Sequence, residues 1–326
     1  MVIKKNIKKT IIIFVSIITF ISIGSYIFVK QKMKAVPSEL IFPKNDFTFN
    51  FVWSSATINK NINEKAGILI PIKLNGCPET FYMQFDIGTF VTHFYKPELE
   101  SINKKFKNIH FRIDKEKDTI LANFSFNIGE TKIRTKKIDI SSFGETINWN
   151  KKNQKIIIGS IGPDFINNKT ICIDYPNQKI SLYNKLPDTI SKSIDFFNFE
   201  WYENKALLPI TINGEKRKLY FDTGSSTFEI LTTKKIANEI AENKTIIENY
   251  KVGSWGKDID CYDIKLNEIV VIGKTKIPIE RISYIDGLDI TLLTKALNVD
   301  GLTGNKLFLD KKIYLDTKNQ KFSITK

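Results

Sequence analysis

The sequence predicts an all-β protein of two similar lobes, carried behind one N-terminal transmembrane helix. Three observations predict it. Five sequence blocks occur twice in the same order. Most of these blocks show the two-residue apolar alternation of half-buried strands. A single uncharged apolar run, 11–29, stands apart from all that follows. The expected organisation is a short cytoplasmic tail at 1–10, a transmembrane anchor at 11–29 and a tether at 30–46. Lobe 1 follows at 47–184, a linker at 185–194 and lobe 2 at 195–326.

The run IIIFVSIITFISIGSYIFV spans about 28 Å as a helix, close to the ~30 Å hydrocarbon core. Lys4, Lys5, Lys8 and Lys9 precede it, and Lys30, Lys32 and Lys34 follow it. That slight bias favours an inside N-terminus and a globular domain outside the cytoplasm, periplasmic or extracellular. No small-x-small cleavage site or lipid-accepting Cys follows the run, so an uncleaved single-pass membrane anchor is expected. Pro37 and Pro43 then interrupt any helix in the tether.

The duplication fixes the architecture. FNFVW (49–53) returns as FNFEW (197–201), and LIPIKLNG (69–76) as LLPITING (207–214). FDIGT (85–89) returns as FDTGS (221–225), and NIGETKI (127–133) as VIGKTKI (271–277). The long block beginning GSIG at 159 returns as GLTG at 301. The offset drifts from 148 at Trp53 and Trp201, through 136 at Asp86 and Asp222, to 142 at Asp174 and Asp316. Insertions therefore fall between the blocks, where loops tolerate them. Asn75-Gly76 and Asn213-Gly214 are hairpin-turn dipeptides, each leading into the strand before a D-x-G turn. Asp174 and Asp316 recur at strand–turn boundaries and read as turn caps. Asp164 is matched by Lys306, which argues against a shared catalytic role for it. Outside the anchor, helix is expected to be scarce, with the best candidates at 232–243 and near 292–297.

Composition narrows the function classes. The formal net charge is +14, but the positives are nearly all Lys and lie scattered along the chain. No Arg-rich or aromatic-interleaved basic patch stands out, so no nucleic-acid partner is expected. Three widely spaced cysteines, Cys77, Cys172 and Cys261, contain no C-x-x-C; one disulfide at most is open to them. Two histidines, His93 and His110, are too few for most metal sites. No metal and no cofactor are expected.

The chemistry resides in the duplicated D-x-G turns. A repeated unit can set two equivalent turns face to face across a pseudo-two-fold axis. Asp86 and Asp222 would then meet between the lobes. Two carboxylates that close share one proton, leaving one as general base and the other as general acid toward a bound water. Gly88 and Gly224 lack a Cβ, so backbone N–H groups can approach the carboxylates. The hydroxyls of Thr89 and Ser225 are expected to bond the outer carboxylate oxygens, and that of Thr223 to tie its turn to the opposite lobe.

The motifs YFDTGSS and QFDIGT, with the later pairs Gly159/Gly162 and Gly301/Gly304, resemble the pepsin/retropepsin-like aspartic protease superfamily over residues 47–326. The resemblance implies a bilobal acid-protease fold in which each later glycine motif packs behind a catalytic turn. It implies an aspartic endopeptidase with Asp86 and Asp222 catalytic, no metal, and a peptide or protein substrate lying between the lobes. It also implies a mobile flap, for which KVGSWGKD (251–258) with Trp255 at its tip is the candidate. One departure matters: Ile87 stands where the family has Thr or Ser. The reciprocal hydrogen-bond grip between lobes must then be one-sided or replaced by apolar packing. The alternative expectation is a non-catalytic pseudo-protease of the same fold, binding peptide or serving a structural role.

Overall fold

The computed structural model describes residues 30–31, 33–58, 60–107, 112–113, 119–241, 245–254 and 257–326. The anchor expected at 11–29, the tail before it, His110 and Trp255 lie outside these residues. Among the described residues no helix is long and apolar enough to cross a membrane.

The described chain is mostly β, arranged as three sheets. A nine-stranded sheet uses strands between Leu40 and Ile161, and an eight-stranded sheet uses strands between Glu200 and Thr303. A six-stranded sheet joins the two halves. Its central pair is antiparallel, Thr170–Asp174 against Lys312–Asp316, one strand from each repeat. Cys172 faces Tyr314 in this register, and the two positions are related by the 142-residue offset. The pseudo-two-fold axis therefore passes through that pair. The FNF blocks occupy the two outer edges of the same sheet, at Phe47–Asn50 and Phe197–Asn198.

Each half repeats one unusual crossing. Ile157–Ile161 runs parallel to Phe81–Phe85 and antiparallel to His93–Tyr95, so it lies between two strands that are near neighbours in sequence. Gly301–Thr303 makes the same insertion between Glu215–Phe221 and Leu231–Thr233. The strand carrying each Asp is thereby held on both sides, and the Asp sits just past its end. Phe85 and Phe221, the residues immediately before the two carboxylates, are fully buried. They anchor the strand ends in a core cluster shared by both halves.

Local signals act as the sequence predicts at several turns. Asn213 and Gly214 both adopt positive φ, 52° and 75°, the backbone that a two-residue hairpin with the right-handed strand twist demands. Asp174 accepts from the N–H of Asn177 at 3.1 Å, and Asp316 from that of Asn319 at 2.9 Å, so both cap turns. Helices form at Lys234–Ile240, capped by the Thr233 hydroxyl, and at Leu288–Leu297. The helix Lys96–Phe106 was not among the expected elements. Its signals are Pro97 in the first turn and the Leu99, Ile102, Phe106 spacing.

The segment expected as a free tether is partly docked. Leu40–Ile41 pairs with Arg134 and Thr135 of lobe 1. On the lobe 2 side, Lys205 Nζ donates to the Met33 carbonyl at 3.1 Å, and the N–H of Ala35 donates to Glu203 Oε2 at 2.6 Å. Residues 33–41 thus strap one half to the other. Burial lowers the Lys205 ammonium to about 8, and its carbonyl partners keep it hydrogen-bonded. The three cysteines are free and buried.

Candidate active site

Asp86 and Asp222 meet where the two repeats face each other, and their side chains share a hydrogen bond. Each turn is held by its own sheet: the N–H of Asp86 donates to the Ile161 carbonyl, and that of Asp222 to the Thr303 carbonyl, both at 2.9 Å. The approach between the turns is close. A Cβ on Gly88 would overlap the Asp222 carboxyl group, and one on Gly224 would lie 2.5 Å from Asp86 Oδ1. Any side chain at either position would push the carboxylates apart.

Backbone donors orient the pair. The N–H groups of Gly88 and Thr89 donate to Asp86 Oδ1 at 2.9 and 3.2 Å, and that of Gly224 donates to Asp222 Oδ1 at 2.8 Å. The sequence predicts hydroxyl contacts from Thr89 and Ser225. Among the described residues the carboxylates instead take backbone N–H groups, because the turn curls its own amides inward. Ser225 contributes its carbonyl to the packing behind the turn, against Gly304.

The interlobe grip is one-sided. Thr223, fully buried, accepts from the N–H of Ile87 at 3.0 Å and donates to the Phe85 carbonyl at 2.8 Å. Ile87 offers no hydroxyl in return and packs, 1% exposed, in the core cluster. Two tyrosines add cross-lobe bonds that sequence reasoning missed. Tyr220 donates to the Ile87 carbonyl at 3.2 Å, and Tyr175 donates to Asn305 Oδ1 at 2.7 Å. Asn305, fully buried, in turn donates to the Thr223 carbonyl at 2.7 Å and to Ser226 Oγ at 2.6 Å. Ile87→Thr places a hydroxyl at the vacant half of the grip. A new buried bond is worth about 0.5–1.5 kcal/mol, offset by the smaller apolar surface that Thr buries. Thermal unfolding should show a midpoint within a few degrees of the parent.

The electrostatics of the two acids differ. Burial pushes both carboxyls above the usual carboxylate range. For Asp86, the hydrogen bonds from Asp222, Gly88 and Thr89 pull part of the way back. For Asp222, the Asp86 charge adds to burial, and the raise is large. With both carboxyls raised and in contact, the pair holds one proton between them and titrates as a unit. Such a pair can hold a water, take a proton from it and give one to a leaving group, with no metal or covalent intermediate. No group of three or more metal-ligating side chains occurs among the described residues. Asp164 is structural: its Oδ1 accepts from both the N–H and the hydroxyl of Thr92 at 2.7 Å.

The lobe 2 hairpin that contains the expected flap forms, with Ile246–Ser254 paired to the long strand from Lys257 and Ser254 opposite Lys257. Trp255 itself lies outside the described residues. No family model matches the chain, and no curated protein is significantly similar to it.

Proposed function

We propose that this protein is an aspartic endopeptidase that hydrolyses peptide bonds with a water activated by Asp86 and Asp222. The observation that carries the reading is the pair itself: two D-x-G turns from two repeats, hydrogen-bonded carboxylate to carboxylate. One carboxyl of the pair is the base toward water, and the other, carrying the shared proton, is the acid toward the amide. Gly88, Thr89 and Gly224 hold the carboxylates through their N–H groups, and Thr223 locks the two turns together. The substrate is an extended peptide lying across both lobes. The fold that best accommodates the repeated crossing, the glycine pairs and the joining sheet is the pepsin-like one.

Activity requires the singly protonated pair, which titrates as a unit. Both carboxyls are raised, so the acid limb, where the pair takes its second proton, lies above the ordinary value near 3.8. The alkaline limb, where the pair loses its shared proton, lies further up. A profile of kcat/KM should therefore be bell-shaped with its optimum displaced toward neutrality. Digestion of a mixed peptide library between pH 2 and 9 tests the reading; an enzyme most active near pH 2 contradicts the raised carboxyls. Failure to cleave at any pH favours the second reading, a peptide-binding pseudo-protease, for which Ile87 and its one-sided grip are the supporting observation.

The run 11–29 anchors the chain, in this proposal, with residues from about 35 onward outside the cytoplasm. Protease added to intact cells should digest the globular part. Labelling of Cys261 in unfolded chains by a reagent confined to the cytoplasm would reverse the topology.

A further inference from the structure

The two repeats differ most at their first hairpin. Between Trp53 and Leu69 lobe 1 has ten more residues than lobe 2 has between Trp201 and Leu207. In lobe 2 the turn comes at once, with Tyr202 paired to Lys205. In lobe 1 the strands Val52–Ile58 and Asn61–Leu74 extend into an arm that pairs as far as Ile58 and Asn61. The arm reaches across to the other lobe. Ile58 packs on the lobe 2 cluster of Phe228, Leu231, Tyr250 and Cys261. Beneath it lies a cavity of about 380 Å³, walled by the arm on one side and by lobe 2 on the other.

One wall of this cavity is the end of the Asp222 turn. Ser226 and Thr227 line it, four and five residues beyond Asp222, and Ser226 donates to the Thr223 carbonyl at 3.2 Å. The cavity's volume, at the lower end of the range for small-ligand pockets, has room for a peptide side chain.

The lining chooses the chemistry. Its two carboxylates both face Arg281. Buried Asp263 accepts from Tyr250 at 3.1 Å, Ser283 at 2.6 Å and Arg281 at 3.0 Å, and Glu248 lies 3.9 Å from the same guanidinium. Asp263 is fully engaged, while Glu248, more than a third exposed, is held by that one contact. Donors remain. Lys65, on the arm, stands 5.9 Å from the centre of the Trp53 ring, and no salt bridge among the described residues engages it. Lys306 enters from the opposite wall, with Glu229 at 3.5 Å. The amides of Asn61 and Asn63 complete the rim. We propose that this cavity is a specificity pocket that takes an acidic side chain, Glu or Asp, of an extended peptide. The proposal rests on the peptide-cleft reading of the dyad, and the pocket's chemistry can be tested apart from cleavage.

The test uses the full chain in detergent micelles and the double variant Lys65→Gln/Lys306→Gln. A mixed peptide library is digested, and the residues around each cut are counted. The parent should show Asp and Glu enriched at least fivefold at one fixed distance from the cut. The variant should lose that enrichment while total cleavage persists. Basic or apolar preference there, or an acidic preference unchanged in the variant, overturns the proposal. A parent that cuts nothing sinks the peptidase reading instead, and the pocket is then decided by binding. On an array of peptides differing only by Glu or Lys at each position, the full chain should favour Glu about tenfold, and the double variant should not. Indifference to charge on the array overturns the pocket.

Discussion

Asp222→Asn abolishes peptide cleavage, with kcat falling by at least about 10³-fold, and Asp86→Asn does the same. Each substitution leaves one titratable group where the reaction needs an acid and a base. Neither should unfold the protein, because Asn is nearly isosteric and the backbone donors of Gly88, Thr89 and Gly224 remain. Stability changes in a defined direction. Asp222 binds its proton more tightly folded than unfolded, so the folded state is penalised as pH rises through its folded value. Asn carries no such penalty. The Asp222→Asn protein should therefore melt higher than the parent at neutral and alkaline pH, by about 2–4 °C for each kcal/mol relieved. The gap should close below the unfolded value near 3.8. A variant less stable than the parent at every pH would mean that the carboxyl is held for its fold contacts instead.

Gly304→Ala carries the largest expected cost to stability. A Cβ there would overlap the Ser225 carbonyl oxygen and lie 3.0 Å from that of Asp222. Both neighbours are backbone, so relief requires moving the turn that holds the dyad. Overpacking against fixed backbone costs about 3 kcal/mol or more, a fall of roughly 6–12 °C in the melting midpoint. Activity should fall with it at temperatures where the protein remains folded, because the displaced turn carries Asp222. Gly287→Ala is the control, since a Cβ at that position meets no atom within 4 Å. Calorimetry of the two variants separates a turn-packing effect from a general loss of glycine.

Much of this arrangement is legible in the sequence because duplication repeats its signals. Asp86 on its own reads as a turn residue; its match to Asp222 between the same flanking blocks makes it half of a pair. The turn caps Asp174 and Asp316 are legible for the same reason. What the repeats do not share is less legible. Tyr220 alternates with its neighbours as an ordinary strand residue, and only the meeting of lobes brings its hydroxyl to the Ile87 carbonyl. Asn305 has Pro163 as its counterpart, so nothing in the repeat marks it, although it knits Tyr175, Thr223 and Ser226 together. The strap at 33–41 is held largely through backbone groups, which no side-chain pattern announces. The lobe 1 arm shows in the sequence only as a shift in repeat offset; its landing place on Tyr250 and Phe228 is a fact of tertiary packing.

The central claim is that Asp86 and Asp222 form a working, singly protonated dyad. Titration calorimetry with a peptide isostere bearing a hydroxyl in place of the scissile amide, and with the same peptide lacking that hydroxyl, tests it most directly. A dyad built for the tetrahedral state should bind the hydroxyl compound at least about 100-fold more tightly, and Asp222→Asn should erase the difference. Equal affinity for the two compounds in the parent protein would contradict the account.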